Sequence, residues 1–75
     1  MSSTRTKKET ELLRRIGKKI VEYTQKNGIS VERLAYEAGV SKGYAYDIIK
    51  GKGNPSVLVL NKFADCLGVS LKELF

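Results

Sequence analysis

The stretch SVERLAYEAGVSKGYAYDIIKGKGNPS, Ser30 to Ser56, spells two short helices, a tight turn between them and a stop after the second. Ser30 is placed to cap a helix whose apolar positions Val31, Leu34, Ala35 and Ala38 recur at helical spacing. Arg33 stands where a capping box needs Glu or Gln, so that cap is predicted to be partial. Gly39 lets the backbone turn, Val40 offers a plug between the helices, and Ser41 caps the second helix. This is the pattern of a helix-turn-helix, whose second helix fits a DNA major groove.

Outward from this core, Leu12, Leu13, Ile16, Ile20 and Tyr23 mark a first helix beginning near Glu9 or Thr10 and stopping at Asn27-Gly28. Lys52-Gly53-Asn54-Pro55 reads as a loop. Ser56 starts a fourth helix that runs to Leu67 and is stopped by Gly68, with Val57, Leu60, Phe63, Ala64 and Leu67 as its inward stripe. Ser70 caps a last short helix, Leu71 to Phe75. The expected fold is therefore all-α, a five-helix domain over residues 9–75 preceded by a flexible basic arm over residues 1–8.

With these residues in view, the chain resembles the phage-repressor and Cro-like (Xre-type) helix-turn-helix family. The resemblance runs through Ile16-Gly17 and Ile20, Leu34-Ala35, Gly39-Val40-Ser41, Ala45, Ile48, Gly51, Asn54-Pro55-Ser56, Leu67-Gly68-Val69-Ser70-Leu71 and Glu73-Leu74-Phe75. It implies a repressor-like fold and a sequence-specific DNA-binding regulator of transcription, a dimeric repressor of phage or mobile-element type. Two departures stand out. Val31 occupies a position where the family often has a phosphate-binding Gln, leaving the free amides of that helix end as the remaining anion site. Thr24 and Ile49 replace an Arg and Glu pair together; losing one partner alone would strand a buried charge at a cost on the order of 3–5 kcal/mol. The double replacement reads as a repacked contact.

The resemblance assigns base reading to Lys42, Gly43, Tyr44 and Asp47. The chemistry fits in outline: Lys42 donates to guanine, Tyr44 lays its ring on a thymine methyl, and Asp47 accepts from cytosine N4 or else repels phosphate. DNA-backbone candidates are Ser41, Tyr46, Lys50, Lys52, Asn54, Arg14 and Lys18. Leu58 and Val59 fall outside the inward stripe, and with Leu71, Leu74 and Phe75 they suggest a homodimer interface.

Charge agrees with a polyanionic partner. Of 14 Lys and Arg against 8 Asp and Glu, residues 1–27 hold eight against three, so the positive charge lies at the front. Without His, and with Cys66 as the one cysteine, neither a zinc-ligand set nor an internal disulfide can form. No cofactor or small-molecule ligand is indicated, and no nucleophile and base pair for an enzyme can be assembled from the spacing. No apolar run approaches the ~20 residues of a membrane span, so the expected setting is soluble and cytoplasmic, with double-stranded DNA as partner. The alternative is a protein-interaction module, or an antitoxin-type or controller-type regulator whose main partner is another protein.

Overall fold

In the computed structural model, which describes residues 6–75, four α-helices and one 3-10 turn follow each other: α1 Lys7–Asn27, α2 Val31–Ala38, α3 Lys42–Ile49, α4 Val57–Leu67 and the turn Leu71–Leu74. The all-α expectation holds. The fifth helix is only this single turn, four residues long.

Helix α1 begins earlier than the apolar spacing predicts. Thr6 Oγ1 accepts from Glu9 N at 3.1 Å and Glu9 Oε1 accepts from Thr6 N at 2.9 Å, a complete capping box. Thr6, Lys7 and Lys8, assigned to the arm, thereby form the cap and first turn of the helix; residues 1–5 of the expected arm lie outside the described residues. Ser30, Ser41 and Ser56 cap the next three helices as expected, each hydroxyl accepting a backbone N–H within 3.1 Å.

The core is one cluster in which Ile20, Leu34, Phe63 and Leu74 are the largest fully buried side chains, joined by Ile16, Ala35, Ala45, Ile48, Leu60 and Leu67. Helix α2 packs on α3 and α4, and α1 lies across α3. The contact between α1 and α3 is set by Gly17. A Cβ there would fall on the Ile49 carbonyl oxygen, 2.8 Å from its carbon and 2.9 Å from Ile48 O, so only a glycine lets the two backbones approach this closely.

Four apolar assignments change. Val57 is 63% exposed, and Val59 packs against the core instead, because the row Val59, Phe63, Leu67 takes the inner side of α4. Leu12, in the early turns of α1, is exposed. Leu74, grouped with the dimer face from sequence, is fully buried and belongs to this molecule's own core, whereas Leu71 is half-buried.

The carboxyl end is fastened to α1 by polar contacts. Asn27 Nδ2 donates to Tyr23 O at 2.8 Å and to Leu67 O at 3.2 Å, and the Tyr23 hydroxyl donates to Glu73 Oε1 at 3.2 Å. At the start of the 3-10 turn, Ser70 N and Ser70 Oγ both donate to Glu73 Oε2 at 3.2 Å.

Candidate nucleic-acid interface

Helix α2 stops at Gly39, whose φ of 76° is the left-handed conformation that a side chain would strain. Val40 N then donates to Ala35 O at 3.0 Å, and the Val40 side chain packs into the core as the expected plug. The chain is thus aimed into α3, which Ala45 and Ile48 bury on one side. Lys42, Gly43, Tyr46, Asp47 and Lys50 are left on the exposed side. Tyr44 is half-buried and packs against the core, so it presents only part of its ring.

After α3 the loop curls back on the helix end. Lys52 N donates to Asp47 O at 2.8 Å and Gly51 N to Ile48 O at 3.0 Å. Lys52 is therefore held beside the carboxyl end of α3, and both it and Asn54, two residues on, are exposed. Helix α1 reaches the same place: a Cβ on Gly51 would lie 3.0 Å from Arg14 Cγ. Arg14, Arg15 and Lys18 surround a shallow hollow floored by Val21 and Ile49. Two of the backbone candidates named from sequence, Arg14 and Lys18, are thus brought to α3, together with Arg15 of the same basic stretch. Thr24, linked with Ile49 in the sequence reading, finds its hydrogen bond within α1, donating to Val21 O at 2.7 Å.

At the amino end of α2, where the free amides were expected to meet an anion, an acidic side chain is present. Glu32 stands in the first turn, and its Oε2 accepts the Tyr46 hydroxyl at 2.7 Å. The Tyr46 hydroxyl holds the Glu32 carboxyl below the ordinary carboxylate range, helped by Glu32's own backbone N–H and, more weakly, by Lys42. Tyr46 is pushed up in turn, first by its bond to Glu32. Tyr46, expected to bind phosphate, therefore spends its hydroxyl proton inside the protein. Glu32 carries no local signal in the sequence, because the bond joins residues on two different helices.

Cys66 is free and half-buried, its thiol pushed up by burial and by Glu37 and Asp65. No group of three or more metal-binding side chains occurs among the described residues. None of the described helices is long and apolar enough to cross a membrane.

The Helix-turn-helix (HTH_3) family matches residues 20–74. The chain belongs to this family. Among HTH_3 relatives, the HTH-type transcriptional regulator SlrR of Bacillus subtilis is 46% identical over 61 residues, covering 80% of this chain and 40% of SlrR. The regulator SinR of the same organism is 38% identical over 60 residues, covering 79% of this chain and 54% of SinR. This HTH_3 chain thus spans about half the length of those relatives or less. In structure it is similar to the restriction-modification controller protein C.AhdI from Aeromonas hydrophila, with a TM-score of 0.80 and 30% identity over 84% of this chain and 96% of that one. The fold is also that of the clp gene regulator ClgR from Corynebacterium glutamicum, with a TM-score of 0.80 at 24% identity.

Proposed function

We propose that this chain regulates transcription by reading a specific duplex sequence with α3, as a homodimer on a two-fold symmetric operator. The observation that carries the reading is α3 itself. Its inner side is locked by Ala45, Ile48 and the Gly17 contact, and its outer side presents Lys42, Gly43 and Asp47 to solvent. A groove-reading helix needs that combination of rigid backing and free side chains. Ser41, Lys50, Lys52, Asn54, Arg14 and Lys18 supply backbone contacts around it, and Arg15 joins them. Regulator activity in the named relatives supports the same reading.

Selection of bound duplexes from a random library at moderate salt tests it. The expected result is an enriched site with two symmetric halves about 10 bp apart. Retention without enrichment would reduce the function to backbone binding. No retention at low salt would shift the role to a protein partner, an outcome for which the acidic Glu32 and Asp47 on this face give a specific reason.

A further inference from the structure

We propose that Glu32 is an internal competitor for DNA phosphate, a specificity-determining residue that holds the amino end of α2 and keeps binding dependent on base reading. The proposal rests on the DNA-reading role of α3 and adds to it a residue outside that helix.

The amino end of a helix attracts anions through its free N–H groups and its dipole. When a recognition helix lies in the major groove, the preceding helix meets the sugar-phosphate backbone beside it. In this chain that end already holds an anion of its own. The Glu32 carboxylate accepts the Tyr46 hydroxyl at 2.7 Å, and its own backbone N–H helps to keep it ionised. It also lies close enough to Lys42 to feel its charge. Since Lys42 opens α3 and Tyr46 lies on its exposed side, the carboxylate stands at the flank of the reading surface rather than on a remote face. Tyr46 donates to it across the turn.

A phosphate arriving at this flank meets a negative charge, and a donor already in use. Two consequences follow for binding. Attraction that is indifferent to sequence is reduced, whereas contacts from Lys42 to a base edge are not replaced by a phosphate clamp at α2. The ratio of specific to non-specific affinity rises by that route, through repulsion of the unwanted mode.

The test compares wild type, Glu32→Gln and Tyr46→Phe on a scrambled duplex and on the selected site across a salt series. Both positions are solvent-accessible, and circular dichroism checks that each variant keeps its helices. Glu32→Gln keeps an acceptor for Tyr46 but removes the charge. It is expected to bind the scrambled duplex several-fold more tightly and to steepen the salt slope by up to about 0.9, the increment for one added phosphate contact. Its preference for the selected site should shrink. Tyr46→Phe keeps the charge and should leave scrambled-duplex binding near wild type. If Glu32→Gln matches wild type in slope and scrambled affinity while wild type binds DNA, the proposal is overturned and the DNA-reading role stands. If Tyr46→Phe reproduces the Glu32→Gln gain, the charge is not the cause and the proposal also fails. If neither wild type nor Glu32→Gln binds any duplex at low salt, both readings fall together.

Discussion

Gly43 weakens α3 by about 1 kcal/mol relative to alanine, and a Cβ there would meet nothing within 4 Å inside the protein. Its φ is not in the left-handed region, so no backbone demand explains it. Gly43→Ala is therefore expected to raise the melting temperature by about 4–8 °C for a domain of this size. If the glycine lets α3 approach the groove, the same variant binds its selected site more weakly, which calorimetry and a titration on one preparation would separate. The roles proposed for Lys42 and Lys52 differ in kind. Alanine at Lys52 should weaken all duplexes alike and lower the salt slope by about 0.9, whereas alanine at Lys42 should alter which sequences are enriched by a repeated selection. At this scale the sequence reveals what is local. Serine caps and glycine stops are read from neighbours within four residues, and Ser30, Ser41, Gly28, Gly39 and Gly68 all behave as expected. The bond from Tyr46 to Glu32 joins side chains 14 residues apart and has no sequence pattern to betray it.

Between elements, the crossing of α1 and α3 at Gly17 is the contact that backs the proposed reading surface. A methyl at Gly17 would displace backbone rather than a flexible side chain, because the atoms in its way are the carbonyls of Ile48 and Ile49. Gly17→Ala is expected to destabilise the fold by about 1–3 kcal/mol or more, the range for overpacking a well-filled site. Chemical denaturation measures the loss. Where the variant still folds, α3 must lean away from α1, and site preference should fall further than stability alone accounts for. A Gly17→Ala protein of wild-type stability would show that the helices separate freely. Sequence reading placed Gly17 on the apolar face of α1 without its reason, since the close approach is set by the far end of α3. The same limit explains Val57 and Val59: periodicity identifies the stripe of α4, but which first-turn residue is covered depends on what packs against it. The Thr6 to Glu9 capping box was legible in principle and missed because the apolar run that usually follows such a box starts several residues later.

At the scale of the whole molecule, the carboxyl end closes the domain and leaves apolar side chains exposed on the surface proposed for a second copy. Burial of Leu74 and the bond from Tyr23 to Glu73 tie the 3-10 turn to α1. Glu73 is held below its ordinary value of 4.5, first by the Ser70 backbone N–H, then by the Ser70 and Tyr23 hydroxyls. Tyr23 is held above its ordinary value of 10.0, first by burial and then by Glu73. The carboxylate's contribution to stability is fully present above pH 4.5 and is lost as pH falls through the lowered folded value. The tyrosine's is fully present below pH 10.0 and is lost as pH rises through the raised one. Glu73→Gln should flatten the acid side of a plot of melting temperature against pH and leave the neutral region less changed. For the dimer, loss of Leu74 to the core leaves Leu58, 76% exposed, and Phe75, 42% exposed, as the accessible members of the expected face, with Val59 and Leu71 half-buried behind them. Leu58 is largely exposed and lies outside the buried cluster, so a charge there should disturb the monomer little. If Leu58 lies at the centre of the interface, Leu58→Glu must bury a carboxylate without a partner and dissociation should rise by orders of magnitude. Sedimentation equilibrium is expected to show wild-type dimers and Leu58→Glu monomers of unchanged helicity. On a symmetric site the variant should then bind each half independently, with the steep concentration dependence of the wild type gone. Equal dimerisation by both proteins would place the two-fold contact elsewhere on the molecule.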